Sequence, residues 1–212
     1  MSLFGQTHNF AIEYEFEVNP FGEKGLNGAS WGRFSFWAEG ADICKLNRGS
    51  QLETYRWNLL GIFEWLCENL THILEVEQFP VPAVGSSTVE LIADSYNRQP
   101  RGDDELDDWA DKKEDWEFRH SWYSARAGSF LARVYFRRVD NQIEVSWDNS
   151  STYADNNISF DFPKGICLID VKEFREVVCD FLNDFAEKLS ERVPGDTDLD
   201  SRLFGILPSG CR

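Results

Sequence analysis

The chain has 212 residues and a formal net charge of −16, and 42% of its residues are hydrophobic, including 17 Phe and 8 Trp. This apolar content is enough for a core and excludes a wholly disordered chain. A negative field repels nucleic acid and anionic lipid, which need Lys and Arg for binding, and attracts basic proteins. We therefore expect a basic protein partner, and neither direct nucleic-acid binding nor a membrane. Acidity that only maintains solubility is the alternative.

The N-terminal residues have neither the basic nor the apolar region of a signal peptide, and the sequence lacks an apolar run of about 18 residues. The five cysteines are odd in number and widely spaced: Cys44, Cys67, Cys167, Cys179 and Cys211. Reduced and mostly buried thiols in the cytoplasm fit this spacing best. The length fits one domain over residues 1–193, followed by a loosely ordered tail over residues 194–212.

The N-terminal half predicts strands followed by a helix. Apolar and acidic side chains alternate along the first strand, and Gly40 marks a short turn between the next two. The predicted strands cover residues 10–18, 33–38 and 43–46. Apolar side chains at helical spacing predict an amphipathic helix over residues 54–75. Residues 83–102 are expected to be irregular.

The strongest local prediction is a hairpin with its turn at Asp140-Asn141, where Asn141 takes a positive φ. Its register places apolar and oppositely charged pairs on separate faces: Phe136 with Val145, Val134 with Trp147, Arg137 with Glu144, and Arg133 with Asp148. Strands at 158–162 and 166–169 and a second amphipathic helix at 171–192 follow. The sequence thus predicts an α+β fold, with an antiparallel sheet of hairpins and two long amphipathic helices packed on one face.

Residues 103–117 concentrate the negative charge, with nine acids, two bases and a net charge of −7. Aspartates would attract a basic partner, and embedded tryptophans would anchor it. The predicted partner-binding residues are Asp103, Asp104, Asp107, Asp108, Trp109 and Trp116. Like charges four residues apart weaken a helix, so the segment is either a marginal exposed helix or a mobile loop. The alternative is a solvated face whose tryptophans pack back on the core.

A small basic group after the acidic run is a second candidate site. Guanidinium groups bind carboxylates and phosphates through paired N–H donors. The candidate anion or ligand pocket comprises Arg119, His120, Arg137 and Arg138. The alternative is that these arginines pair with local carboxylates, as the hairpin register already indicates for Arg137.

No sequence motif specifies a catalytic chemistry. Phosphate-binding glycine loops, G-x-S-x-G, H-E-x-x-H, zinc-finger spacings and calcium loops are absent from the sequence. We therefore expect no enzymatic activity, no cofactor and no metal. A hydrolase or nuclease whose site assembles only in space is the less favoured alternative.

Several aromatic segments resemble a poorly characterised bacterial domain in the N-terminal region of proteins that carry a C-terminal ImmA/IrrE-type zinc metallopeptidase. The segments are WGRFSFWAEGADICKL, YRWNLLGIFEWLCENLTHILEVEQFPVP, WEFRHSW and VYFRRVDNQIEVSWDN, within residues 30–190. The matching positions are Trp57, Glu64, Trp65, Arg119, His120, Arg138, Ser146 and Trp147. Because H-E-x-x-H is absent, the peptidase chemistry does not carry over.

The resemblance implies a sensing or partner-binding module of bacterial defence, mobile-element or stress-response systems. Together with the charge, it predicts a non-enzymatic interaction module, either an immunity-type or antitoxin-type inhibitor or a regulatory module. Its partner would be a basic toxin, effector or regulator. The alternative function is a sensor domain that binds a small anionic ligand or nucleotide.

Overall fold

The structure, a computed structural model, describes residues 1–193 and 202–211. The strands are β1 (Ser2–Gln6), β2 (Phe10–Phe16), β3 (Trp31–Ala38), β4 (Ala41–Asp42), β5 (Leu46–Arg48), β6 (Gln51–Glu53), β7 (Arg56–Asn58), β8 (Tyr135–Val139), β9 (Gln142–Asp148), β10 (Ile158–Phe160) and β11 (Lys164–Asp170). The α-helices are α1 (Gly25–Ala29), α2 (Leu60–Leu74), α3 (Thr88–Tyr96), α4 (Asp103–His120) and α5 (Val171–Arg192). These elements confirm the predicted α+β class.

The strands form three antiparallel sheets. The first has the order β1-β2-β3-β4, with β7 also paired to β3; the second has the order β10-β5-β6; and the third has the order β11-β9-β8. The predicted turn between β3 and β4 is a two-residue turn at Glu39 and Gly40, both with positive φ, so that Ala38 pairs with Ala41. β1, β4, β6 and β7 were not predicted from the sequence. The strand predicted at 43–46 is wrong, because only Leu46 of that range lies in a strand, β5.

The β8–β9 hairpin confirms the predicted register where the two strands pair. Phe136 lies opposite Val145 and Arg137 lies opposite Glu144. The turn differs in one respect, because Asp140 takes the positive φ, of 54°, and Asn141 does not.

The predicted continuation of the hairpin at Arg133 is wrong, because β8 begins only at Tyr135. The side chain of Asn149, and not a strand partner, bonds to the backbone of Arg133. Its Oδ1 accepts from Arg133 N at 2.8 Å and its Nδ2 donates to Arg133 O at 2.9 Å. The Arg133 guanidinium therefore does not pair with Asp148 but lies over the ring of Tyr123, 4.0 Å from its centroid.

The two predicted amphipathic helices are α2 and α5. α2 begins later than predicted, because residues 56–58 pair with β3, and Asn58 Oδ1 accepts from Leu60 N at 2.9 Å. α5 begins where Asp170 accepts from the amides of Lys172 and Glu173, as an N-cap residue does. Its aromatic stripe packs against the first sheet and α2, with ring pairs Phe10–Phe174, Tyr14–Phe181 and Phe63–Phe185.

Residues 83–102 are not entirely irregular, since they contain α3. Ser87 Oγ accepts from Glu90 N at 3.2 Å, and Glu90 Oε2 accepts from Ser86 N at 2.7 Å, so the two side chains cap the helix start from both sides. Thr88 N donates to the buried carboxylate of Glu144 at 2.6 Å, which fixes α3 to the polar face of the third sheet. Helices therefore lie on both faces of that sheet.

Two expectations about the C-terminal region are corrected by the described part of the chain. Residues 202–211 pack on α5, where Leu203 and Leu207 are buried and Arg175 and Asn183 each donate to a backbone carbonyl of this segment at 2.8 Å. Cys179 and Cys211 form a disulfide, so these two thiols are not reduced, while Cys44, Cys67 and Cys167 are free and buried. The rest of the predicted tail, 194–201 and 212, lies outside the described residues.

None of the helices in residues 1–193 and 202–211 has the length and apolar content needed to cross a membrane.

Candidate functional site: helix α4 and the pocket beside it

The acidic run is an ordered helix, and this removes the alternative of a mobile loop. Asp103, Asp104 and Glu105 occupy the first turn of α4, and Arg119 and His120 occupy the last. The acids of the first turn and Arg119 in the last favour the helix, because its N-terminus carries partial positive charge and its C-terminus partial negative charge. This interaction offsets part of the repulsion between like charges along the helix.

The inner face of α4 is formed by four buried side chains at helical spacing. They are Trp109, Lys113, Trp116 and His120. Trp116 packs edge-on against Phe79 at a centroid distance of 5.1 Å and stacks on His120 at 4.0 Å. Trp109 contacts Tyr96 at 5.9 Å. Both tryptophans thus pack back on the core, which was the alternative interpretation, and they are not exposed anchors for a partner.

The outer face of α4 presents carboxylates to solvent. The exposed acidic residues are Asp103, Asp104, Glu105, Asp107, Asp108, Asp111, Glu114 and Asp115. In the described residues, the one ion pair within this set joins Asp108 to Lys112 at 2.6 Å. The four predicted aspartates therefore all lie on a solvent-facing, largely uncompensated surface, which we call the acidic face.

The four residues of the predicted anion pocket do not form one cluster: Arg119 and His120 both contact Glu77, and Arg137 pairs elsewhere. Arg119 pairs with Glu77 at 2.8 Å, and Arg138 donates to Leu74 O at 2.7 Å. Arg137 lies on the opposite face of β8 and pairs with Glu144. Each arginine is therefore held by a local carboxylate or carbonyl, so the structure favours the alternative interpretation of this group.

His120 is buried at the end of α4 and is neutral at physiological pH. Its Nδ1 lies 2.9 Å from Trp116 O, and its Nε2 lies 3.7 Å from a Glu77 oxygen. Burial lowers its pKa to about 4, although the Trp116 carbonyl and the Glu77 carboxylate act in the opposite direction. His120 therefore serves to pack the helix end and is not a cationic anion ligand.

A pocket of about 490 Å³ lies along the C-terminal half of α4 and was not predicted from the sequence. Its lining comes from α4, the end of α3, the 121–124 turn, the loop before β8 and the start of β8: Tyr96, Lys113, Glu114, Glu117, Phe118, Ser121, Tyr123, Ser124, Arg133 and Tyr135. Three tyrosines, two serines, two cations, two carboxylates and one phenylalanine share this cleft. Such a mixture of aromatic and hydrogen-bonding groups is typical of a ligand or side-chain binding site.

Lys113 is the buried cation of this pocket. Its Nζ contacts Glu117 at 2.5 Å and Tyr96 Oη at 2.9 Å, and it lies 4.4 Å from the Tyr96 ring centroid. Burial lowers the pKa of Lys113, but the Glu117 and Tyr96 hydrogen bonds outweigh it and raise the pKa, so the ammonium group remains charged. Lys113 is therefore compensated from within the protein.

Arg133 differs from Lys113 because no carboxylate of the described residues lies within ion-pair distance of it. Its Nε is buried without a hydrogen-bond partner among those residues, and its guanidinium stacks on Tyr123. Burial also raises the pKa of the neighbouring Tyr135, so that phenol stays protonated and can donate. Arg133 is thus the cation of this pocket with unused donor capacity.

Lys113 could have been noticed in the sequence, because it occupies an inward position of α4 between Trp109 and Trp116. The approach of Arg133, in the loop before β8, and of Tyr135, at the start of β8, carried no local signal. No group of three or more potential metal ligands occurs within residues 1–193 and 202–211.

Comparison with known proteins places this site within a family. Residues 62–197 match a family of unknown function, DUF5984. The chain belongs to that family. The matched region contains most of α2, all of α3 and α4, and β8 to α5, so α4 and its pocket lie in the family region. No curated protein and no solved structure matches the chain.

Several positions that carry the resemblance to the peptidase-associated domain form side-chain hydrogen bonds that hold the fold together. Trp65 Nε1 donates to Phe118 O and Trp147 Nε1 donates to Phe162 O, both at 2.9 Å. Ser146 Oγ donates to Glu144 at 2.8 Å. These are structural contacts, and the resemblance itself stays a prediction.

Proposed function

We propose that the protein is a non-catalytic interaction module that binds a basic protein partner through the acidic face of α4. The observation that carries the proposal is the contrast between the two faces of this helix. Its inner face is fixed by Trp109, Trp116 and His120, whereas its outer face presents eight exposed carboxylates. A fixed array of charges binds with a small loss of conformational entropy, so rigid presentation favours affinity.

Electrostatics supports the same surface. Within the described residues, Lys112 is the single base paired to the eight carboxylates. Uncompensated charges on one surface raise the local field, which steers an oppositely charged partner and increases its association rate. The field is concentrated here, since residues 103–117 contribute −7 of the net −16.

Apolar groups beside the acidic face would supply the anchoring that charge alone lacks. Phe118 and Tyr96 are each 53% exposed and both line the pocket. Phe118 and Tyr96 would therefore be the anchoring residues, in place of Trp109 and Trp116, which were predicted from the sequence and are buried. A basic partner that also offers an apolar or aromatic side chain would fill this cleft, as anchor residues do at interface centres.

The kind of partner follows from the resemblance and belongs to the same proposal. An acidic inhibitor of a toxin or effector, of the immunity or antitoxin type, would cover a basic surface of its target. A regulatory module of a bacterial defence or mobile-element system would use the face in the same way. The cytoplasm is the proposed location. The buried free thiols of Cys44, Cys67 and Cys167 suit a reducing compartment, whereas the disulfide between Cys179 and Cys211 does not.

The test uses two variants with equal charge change. In the first, Asp103, Asp104, Asp107 and Asp108 are replaced by Asn. In the control, the exposed acids of α5 are replaced by their amides: Glu176, Asp180, Glu187 and Glu191. In affinity capture from the native cell, we expect wild type and control to retain the same basic protein and the α4 variant to lose it. Equal capture by all three would contradict the proposal.

A sensor of small anions is the second candidate function, and Arg133 is the observation that favours it. Its guanidinium lines a pocket without a carboxylate partner, next to the hydroxyl groups of Tyr123, Tyr135 and Ser121. A phosphate or carboxylate would receive several donors there. A ligand at 100 times its dissociation constant stabilises a protein by about 2.7 kcal/mol, so thermal denaturation detects it.

We expect inorganic phosphate, adenosine monophosphate or succinate to raise the melting temperature of the wild type, and Arg133→Gln to abolish the shift. Arg138→Gln is the matched control, because Arg138 lies outside the pocket. No shift with any of the three anions would leave the interaction module as the remaining function.

A further inference from the structure

β11 is an edge strand whose alternate side chains are exposed. It pairs with β9 on one side, and no described strand pairs with its other side. It is seven residues long, which makes it the longest of the edge strands. Ile166 and Leu168 on it are 48% and 50% exposed, and Lys164 and Asp170 are exposed at its ends. A long edge strand with exposed apolar side chains is a template for pairing with another strand.

The alternation of hydrogen bonds along β11 shows which of its backbone N–H and C=O groups could pair with another strand. Asn149 N donates to Pro163 O and Val171 N donates to Asn141 O, at the two ends of the ladder with β9. Bonded pairs alternate along an antiparallel ladder, so the odd-numbered residues of β11 bond to β9. The N–H and C=O groups of the even-numbered residues therefore point to the open edge.

The same even-numbered residues carry the exposed side chains, and their order is self-complementary. An antiparallel pair of two β11 strands centred on Cys167 would place Ile166 opposite Leu168 of the second copy. It would also place Lys164 opposite Asp170 of the second copy, on the same face. Each apolar side chain meets an apolar one and each charge meets its opposite, as favourable cross-strand pairs require.

We propose that the protein forms a two-fold symmetric dimer through β11, in the register centred on Cys167. The third sheets of the two copies then join into one continuous six-stranded sheet. Symmetry makes this contact closed, because the same strand serves both copies and the dimer uses up the open side of each β11. A shift of the centre to Ile166 would place Leu168 opposite Lys164, so the sequence specifies the register.

Neighbouring groups are compatible with the arrangement. Lys164 lies opposite Asp148 within the same copy, so its ammonium would sit between Asp148 and the second copy's Asp170. The Asp170 carboxylate already accepts from the amides of Lys172 and Glu173, but it remains exposed. These charged pairs are solvent-exposed and contribute mainly to register, while the apolar pairs contribute more to affinity.

The first test is the oligomeric state of the full chain by sedimentation. We expect a dimer at high micromolar concentration. Ile166→Lys should weaken dimerisation by about tenfold or more, because the substitution is present twice and places a charge opposite Leu168. Leu3→Lys is the matched control: Leu3 is also 50% exposed on an edge strand, and its substitution should leave the dimer intact. A wild-type monomer, or a dimer insensitive to Ile166→Lys, would overturn the proposal.

The second test addresses the register. Mixing Ile166→Lys with Leu168→Glu should restore a heterodimer, because the new lysine and glutamate lie opposite each other. Mixing Ile166→Lys with Ile166→Glu should not, since those positions are not opposed. Rescue by the second mixture and not the first would overturn the Cys167-centred register.

Amide exchange gives an independent readout. The Ile166 and Leu168 amides should gain protection as the concentration rises, whereas the Cys167 and Ile169 amides are protected by β9 at any concentration. Concentration-independent exchange of Ile166 and Leu168 in a sample that sediments as a dimer would place the contact elsewhere.

Discussion

His120 shows how a residue that looks functional in the sequence can serve packing. It lies between Trp116 and Glu77, fully buried, with its pKa lowered to about 4. The unfolded chain binds a proton near pH 6.5 and the folded chain does not. The contribution of the neutral His120 to the free energy of unfolding is therefore fully present above about pH 6.5, and it is lost as the pH falls toward 4.

We expect wild type to lose about 2 kcal/mol between about pH 7 and pH 5 through His120 alone. His120→Phe keeps a ring against Trp116 and removes the titrating group. Between the same two pH values, the unfolding free energy of this variant should therefore fall by about 2 kcal/mol less than that of wild type. Urea denaturation at the two pH values measures both. An identical pH dependence of the two proteins would contradict the buried neutral histidine.

The pair of Arg137 and Glu144 is the second residue-scale feature with a measurable consequence. Glu144 is 1% exposed, and it accepts from Thr88 N and Ser146 Oγ in addition to Arg137. Removing one partner of a buried ion pair leaves an uncompensated charge, which costs about 3–5 kcal/mol. Arg137→Met should therefore be strongly destabilising.

Adding Glu144→Gln removes the uncompensated charge, so the double variant should be more stable than Arg137→Met alone. A double-mutant cycle by chemical denaturation measures this coupling. Strictly additive effects of the two substitutions would show that the pair does not act as a unit.

The disulfide between Cys179 and Cys211 is the clearest feature at the scale of elements. It fixes the 202–211 segment to α5 and closes a loop with a sequence separation of 32. Constraining the unfolded chain over a loop of this length contributes about 3–4 kcal/mol. We expect Cys211→Ser to lower the unfolding free energy by this order and to expose Leu203 and Leu207.

Thermal denaturation with and without reductant measures the contribution. Cys211→Ser is the control for other effects of reductant, because it lacks the disulfide, and Cys167→Ser is the control for loss of a buried thiol. A stability of wild type that does not change with reductant would contradict a role for the bond in holding the segment.

Local signals explain which elements could be predicted. The β8–β9 hairpin was predicted in its register because apolar and charged pairs sort onto separate faces only in that register. α5 was predicted to its ends, since its stripe is continuous and Asp170 caps it. α3 was missed although Ser87 and Glu90 have capping-box spacing, because the helix is short and its apolar face is thin.

The candidate site was predictable only in part for a similar reason. The acidic face follows from the sequence, because exposed aspartates need no tertiary partner. The pocket does not, since Arg133 lies in the loop before β8 and only the tertiary fold brings it beside Lys113 of α4. Arg119 and Arg138 do not provide a free anion pocket, because Glu77 and Leu74 O already accept hydrogen bonds from them.

At the scale of the whole molecule, the two proposed surfaces are independent. The acidic face belongs to α4, whereas the self-complementary edge belongs to β11 of the third sheet. A dimer through β11 would present two acidic faces, so a partner with two basic sites would bind with increased avidity. Loss of the dimer by Ile166→Lys should leave the affinity for a single site unchanged.

The most direct test of the central claim is the salt dependence of partner binding by three proteins: wild type, the α4 variant with Asn at Asp103, Asp104, Asp107 and Asp108, and the α5 control. Screening weakens exposed charge–charge attraction, so affinity should fall steeply with ionic strength for wild type and control. The α4 variant should bind more weakly at low salt and depend less on salt. The same salt dependence in all three proteins would contradict binding through the acidic face.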